Sequence, residues 1–284
     1  MGLYQDGEHA CAKVFNKQEI FLKELSIAKK LNEICNVFPK VLGVDEYEEN
    51  SCIIYERLGE PLSVKMDLQP RRQLSLKTII QVGMQIFDQL RLMHQAGYVH
   101  CDLKPENILV GRYGEQGMLS QVYLIDFGFS RAIETVETFE LGSGNVAFAS
   151  PNSLRNRTIF PRDDLISLAL MLTYMMNKFI PHFNNEDDIE DQKRSRIKME
   201  PATYCRRYKC KELREFLELV FKTAQEKTPD YVKLRFLLTK ALLDMNTAPT
   251  KWMDWSTWHL SQVINLIPRE RINSGDEDIT GAED

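Results

Sequence analysis

Tyr98-Val-His-Cys-Asp-Leu-Lys-Pro-Glu-Asn-Ile-Leu-Val110, with Val122-Tyr-Leu-Ile-Asp-Phe-Gly128 after it, is the stretch on which the reading of this chain turns. The apolar runs Ile108 to Val110 and Val122 to Ile125 bracket a Gly-rich turn, Gly111 to Gly117, and read as paired strands. Pairing brings their outer ends together. Asp102, Lys104 and Asn107 precede the first strand and Asp126 follows the second. The hairpin therefore gathers two acids, an ammonium and an amide at one edge of an apolar base.

Such a set suits phosphoryl transfer, whose loose transition state responds to positioned charge more than to covalent chemistry. Asp102 is placed to accept or orient the proton of an attacking hydroxyl, and Lys104 to meet the transferring phosphate. Asn107 and Asp126 are placed to hold Mg²⁺ through hard oxygens. Asp-Phe-Gly alone also makes an ordinary turn after a strand, so the information lies in the two segments together. His100-Cys-Asp-Leu-Lys-Pro-Glu-Asn107 resembles the H-R-D-L-x-x-x-N loop of the protein kinases, and Asp126-Phe127-Gly128 their D-F-G. That resemblance implies ATP and Mg²⁺ as cofactors and an α+β, two-lobed protein-kinase-like fold, with a mainly β N-lobe and a mainly α-helical C-lobe. Lys104, two residues past the acid, resembles the Ser/Thr form and implies protein substrates with Ser/Thr acceptors.

With 284 residues, 43% hydrophobic and 27% charged, the chain has material for a large core and an ordinary globular composition. A net charge of −5 argues against generic nucleic-acid binding. The six cysteines, Cys11, Cys35, Cys52, Cys101, Cys205 and Cys210, mostly fall in apolar runs. Without an apolar signal segment at the N-terminus they read as reduced thiols of a cytoplasmic or nuclear protein. Cys205 and Cys210 are too far apart for a C-x-x-C knuckle and have no His pair, so zinc is not expected. The longest apolar stretch, near residues 164–176, is too short to span a bilayer. The expectation is a soluble monomer without membrane or nucleic-acid partners.

Working outward, residues 8–15 alternate like a strand, with Cys11, Lys13 and Phe15 on one face. Ile20, Glu24, Ile27 and Leu31 then follow at helical spacing, so a carboxylate interrupts a buried stripe. A buried acid needs a cation, and Lys13 is the natural one. The pair resembles the strand-3 lysine and helix-C glutamate of kinases, which position the ATP phosphates. Val41 to Asp45 and Ser51 to Gly59 read as two strands around the acidic turn Glu46 to Asn50. By resemblance, Tyr55 stands as gatekeeper beside the adenine and the backbone of Glu56 to Leu58 meets the purine edge. Ile79, Val82, Ile86, Leu90 and Met93 mark a helix from Ser75 to Gln95, closed by Gly97. His94 and His100 read as histidines hydrogen-bonded within the core, since the resemblance assigns the base to Asp102.

Further on, the chain resembles the casein kinase 1 family. Ala149-Ser-Pro-Asn152 stands where that family has A-S-I-N, and Arg162-Asp-Asp-Leu165 resembles its R-R-D-D-L. Asp164 then corresponds to the residue that braces the catalytic loop, while Asp163 and Asp164 also suit a helix N-terminus. Thr228-Pro-Asp-Tyr231 and Asp254-Trp255 resemble further family features. Three departures and one ambiguous stretch stand out. Cys101 replaces an arginine that would pair with an activation-loop phosphate. Ala147 replaces a basic residue that binds acidic or phosphorylated substrates. Asn145 replaces a threonine, though its amide could still reach Asp102. Lys193, Arg194, Arg196 and Lys198 read either as a substrate-side basic cluster or as a solvated helix face.

Only twelve residues precede Lys13, too few for a strand, a Gly-x-Gly-x-x-Gly loop and a second strand. Gly2-Leu3-Tyr4 matches at best the end of that loop, whose N–H groups cover phosphates. Two functional readings follow. One is a Ser/Thr protein kinase of casein kinase 1 type; the other is a pseudokinase scaffold or binding module with weak or no ATP turnover. The expected organisation is an N-lobe over residues 1–58, truncated and lacking the Gly-rich loop, a C-lobe over 59–272, and an acidic disordered tail over 273–284.

Overall fold

The computed structural model describes residues 2–3, 9–70, 73–112, 120–133, 146–179, 189–247, 249–250 and 253–256. The expected Gly-rich turn beyond Arg112, Asn145, and the acidic tail lie outside the described residues. A small sheet-bearing lobe stands on a larger helical one, the arrangement that the resemblance implies.

In the small lobe four antiparallel strands run in the order β1-β2-β4-β3, namely β1 (Gly2–Leu3), β2 (His9–Phe15), β4 (Asn50–Glu56) and β3 (Val41–Tyr47). Strands β3 and β4 are joined by Glu48 and Glu49, with φ of 47° and 65°. Two consecutive left-handed residues match the twist of a hairpin, although neither is the Gly or Asn that usually takes such angles. Helix α1 (Gln18–Ile34) buries Phe21, Glu24, Ile27, Ala28 and Leu31. The predicted stripe is thus right at Glu24, Ile27 and Leu31 and wrong at Ile20, which is exposed. Phe21 turns in instead, its ring edge-on to Phe15 of β2 at 5.7 Å. A bulky aromatic outcompetes an aliphatic for the one inward position of that turn. Nor do Cys11 and Phe15 share an environment, for Phe15 is buried and Cys11 exposed. Their face of β2 passes from the lobe's core to the edge of a cleft.

The large lobe is built on α3 (Leu76–Gln95) and α5 (Pro161–Asn177), which pack against each other through mostly buried residues. A Cβ on Gly83 of α3 would lie 2.6 Å from the Leu172 side chain of α5, which would have to shift to admit it. The Ser75 hydroxyl accepts from Thr78 N–H to cap α3 and is itself held by Asp254. Trp255 beside it is fully buried. The remaining helices, α2 (Leu62–Asp67), α4 (Pro151–Leu154), α6 (Ile189–Ile197), α7 (Pro201–Arg207), α8 (Arg214–Lys222) and α9 (Tyr231–Leu243), surround the pair. No helix of the described residues is long and apolar enough to cross a membrane. All six cysteines are free thiols, with Cys52, Cys205 and Cys210 buried and the rest more open.

Two short antiparallel pairs lie between the lobes' helices: β5 (Tyr98–Val99) with β8 (Arg131–Ala132), and β6 (Ile108–Val110) with β7 (Val122–Leu124). A ribbon of three residues per strand is too small to stand alone. Two glutamines of α3 complete it. Gln85 Oε1 accepts from Val122 N–H and its amide donates to Ser120 O. One turn on, Gln89 accepts from Leu124 N–H and donates to Val122 O. Their spacing puts both amides on one helix face, where they satisfy the outer edge of β7 as a third strand would. On the other side Gly59 N–H donates to Val110 O at 2.8 Å and Val110 N–H to Glu60 O. A Cβ on Gly59 would stand 2.8 Å from the Gly111 oxygen, which only glycine avoids.

Candidate active site

The segment entering β6 carries the first cluster. Asp102 Oδ2 accepts from Lys104 Nζ at 2.6 Å and from Asn107 Nδ2 at 2.8 Å, and the Asp102 carbonyl accepts from the same amide at 2.8 Å. Pro105 to Asn107 form a single 3-10 turn, which folds the chain so that Asn107 reaches back to Asp102. Across the ribbon Ile125 N–H donates to Asn107 O at 3.0 Å, which sets Asp126 beside Asn107. His100, fully buried, accepts from Asp102 N–H at Nδ1 and donates from Nε2 to Ile125 O. Burial favours its neutral form and lowers its pKa, as this pairing of one acceptor and one donor requires.

The second cluster spans the lobes. Lys13 Nζ lies 2.8 and 2.7 Å from the two Glu24 oxygens and 2.8 Å from Asp126 Oδ1. Three ammonium protons thus meet three acceptors. Tyr55 OH donates to Glu24 Oε1 at 3.3 Å. Burial raises the pKa of Glu24 above its ordinary 4.5, outweighing the attraction of Lys13. For Asp126 the balance tips the other way. Burial opposes its charge, but Lys13, the Gly128 N–H and His100 together hold its pKa below the usual value. Asp126 takes a left-handed φ of 67°, unusual for a residue with a Cβ. Phe127 locks it from below, buried edge-on to Phe38 at 6.2 Å and to His100 at 5.9 Å.

These groups face a cleft of about 570 Å³ roofed by Ala10 to Lys13 and floored by Leu109, Ile125 and Asp126. That size and apolar lining suit a small organic ligand. Its back wall carries Tyr55, and its rim the connection Glu56 to Pro61. Glu56 N–H is spent on Lys40 O and its Oε1 on Lys40 N–H, so Glu56 has no backbone donor to offer a ligand. Leu58, two residues on, lines the cleft with its backbone N–H outside any hydrogen bond found among the described residues.

The donor set fits Mg²⁺. Both Asn107 amide hydrogens go to Asp102, which leaves Oδ1 as a hard acceptor, and Asp126 keeps a second carboxylate oxygen beyond the one bonded to Lys13. When bound there, the ion would neutralise phosphate charge.

What holds the loop in place lies behind it. Asp164, in the first turn of α5, accepts from His100 N–H at 2.7 Å, from Cys101 N–H at 3.0 Å and from His94 Nε2 at 2.9 Å. Burial alone would raise its pKa, but His94, His100 and the loop amides bring it below the ordinary value. Tyr231 at the head of α9 closes the chain, its hydroxyl 2.7 Å from His94 Nδ1. Cys101 between these bonds has φ of 69°, a conformation the two amide anchors maintain. Asp163 accepts from the Ser150 hydroxyl, the Asn152 amide and Phe160 N–H, tying residues 150–152 to the same turn. The glutamines at 85 and 89 and Tyr231 as a hydrogen-bond donor escaped the sequence reading. Amides recurring at i, i+4 along one helix face, Gln81, Gln85 and Gln89, were the available signal.

The basic stretch resolves differently for each residue. Arg196 is fully buried and donates to the carbonyls of Ala147 and Ala149, its pKa pushed down by burial to about 10. Lys193 pairs with Glu190 and Arg194 with Asp191, each on its own helix. Lys198 is exposed, and its side chain makes no hydrogen bond or ion pair found among the described residues. A continuous substrate-facing cation patch is therefore not what these four residues make.

The family pattern described as the protein kinase domain matches residues 5–235. This chain belongs to the protein kinase domain family. Its curated relatives include a probable serine/threonine-protein kinase of Dictyostelium discoideum, 26% identical over 263 residues, which are 86% of this chain and 50% of that protein. Casein kinase I homolog 1 of Schizosaccharomyces pombe is 26% identical over 239 residues, 80% of this chain and 53% of its own. Serine/threonine-protein kinase dkf-2 of Caenorhabditis briggsae is 30% identical over 197 residues, 66% of this chain and 16% of its own. The chain spans about half the length of the first two and less of the third. The resemblance to casein kinase 1 stands with these relatives.

Proposed function

We propose that this chain is a Ser/Thr protein kinase of casein kinase 1 type, transferring the γ-phosphate of ATP to a protein hydroxyl. Asp102 orients and receives the hydroxyl proton, and Lys104, bonded to it, meets the transferring phosphate. Asn107 and Asp126 hold Mg²⁺, Lys13 with Glu24 positions the phosphates, and Glu56 to Leu58 meet the purine. The observation that carries this reading is the Lys13 ammonium, drawn at once to Glu24 and Asp126 in a cleft large enough for a nucleotide. A chain kept only as a binding module needs neither the base nor the metal carboxylate.

Transfer of ³²P from Mg-ATP to casein tests it. Incorporation that disappears when EDTA removes the metal is the expected result, and no incorporation above the EDTA control would overturn the reading in favour of a binding module. Dephosphorylated casein should be labelled about as fast as native casein. Ala147 carries no charge, and Arg196, which donates to its carbonyl, is buried, so a priming phosphate gains little there.

Activity should also show an acid limb. The ionised Glu24 carboxylate holds Lys13, and its raised pKa means that it takes up a proton at a pH above 4.5 as the medium is acidified. kcat/KM should therefore fall as pH drops through a value higher than that of an ordinary glutamate. A limb at or below 4.5 in the pH profile would refute the assignment.

A further inference from the structure

Tyr55 is the next-to-last residue of β4, opposite Cys11 of β2 and Val41 of β3. Its ring packs against both apolar clusters of the small lobe, the one around Phe15, Phe21 and Ile53 and the one around Leu31, Phe38 and Phe127. Size alone would explain an aromatic at the back of the cleft. The hydroxyl needs another account, because phenylalanine would fill the same space.

Its one recorded partner among the described residues is Glu24 Oε1 at 3.3 Å. Burial raises the pKa of the phenol, so it stays protonated and donates. Glu24 is 1% exposed and otherwise depends wholly on Lys13, which bonds both of its oxygens. Lys13 has no spare proton, since its third goes to Asp126. A phosphate oxygen arriving in the cleft can accept from the ammonium only by displacing one of these carboxylate oxygens from an N–H. A buried carboxylate that loses a donor pays heavily for it, unless another donor remains.

Resting on the phosphotransfer reading above, we propose that Tyr55 is a positioning residue. Its hydroxyl keeps the Glu24 carboxylate, and with it α1, in place while Lys13 is shared with the nucleotide's phosphates. The ring serves binding and the hydroxyl serves alignment, so the two roles separate in kinetics.

Tyr55→Phe tests this, because it removes the oxygen and leaves the ring. kcat is expected to fall about three- to tenfold, with KM for Mg-ATP unchanged to within about twofold, as the loss of one long hydrogen bond to a charged acceptor predicts. In a Glu24→Gln background the same change should lose most of its effect. Unchanged kcat, or an undiminished effect in that background, would overturn the proposal. If the wild-type chain transfers no phosphate, the phosphotransfer reading falls on its own. The positioning role is then read from hydrogen exchange of the α1 amides in the presence of Mg-ADP. Faster exchange around Glu24 in Tyr55→Phe than in wild type supports it, and identical exchange refutes it.

Discussion

Asp126→Asn is expected to lower kcat on the order of a thousandfold, from the loss of one preorganised charge at the transferring group. The protein should remain folded. Asparagine is the informative replacement because Asp126 sits at φ of 67°, which asparagine tolerates and alanine does not. An alanine variant would mix backbone strain with lost chemistry. Asp126 is about one-third exposed at its side chain, so its pair with Lys13 is screened by solvent. Removing its charge should cost stability no more than roughly 1 kcal/mol. Steady-state transfer to casein beside a denaturant midpoint measures both. A variant that keeps a tenth of wild-type kcat would mean that this carboxylate does not hold the metal.

Asp164→Asn should cost stability as well, by roughly 3 to 5 kcal/mol, the cost of breaking a buried charged network by removing one partner. Three donors converge on this carboxylate, and the amide that replaces one oxygen turns its own N–H groups toward them. One of the two backbone anchors, the His100 N–H or the Cys101 N–H, then faces a donor in place of an acceptor. The left-handed Cys101 then has less to hold it, and Asp102 beside it should lose its aim. The urea midpoint and kcat should therefore fall together. A stability change under about 1 kcal/mol would show that Asp164 braces nothing, because substitutions without such a mechanism stay near half that size.

Much of the fold was legible. Strand and helix periods located β2, α1, β3, β4 and α3, and the paired runs at 108–110 and 122–124 are the ribbon. Errors came where one turn offers two apolar residues and only one inward position. Ile20 and Phe21 are such a pair, and ring contact with Phe15 decided between them. The basic run at 193–198 misled for a related reason. Charge suggests solvent, yet the carbonyls of Ala147 and Ala149 leave a polar socket that a guanidinium can fill from within.

From the amino-acid sequence alone came the identities and order of the polar groups, Lys13, Glu24, Asp102, Lys104, Asn107 and Asp126, and the hairpin that had to bring four of them near one another. That followed because strand pairing is local, so a short ribbon joins its own ends wherever it lies. Tertiary structure alone decided the distance at which the ammonium that the sequence matched to Glu24 also meets Asp126, 113 positions away, and that the ribbon would be completed by glutamine side chains. Those contacts depend on how helices and sheet dock across a shared core, and no spacing along the chain records that distance.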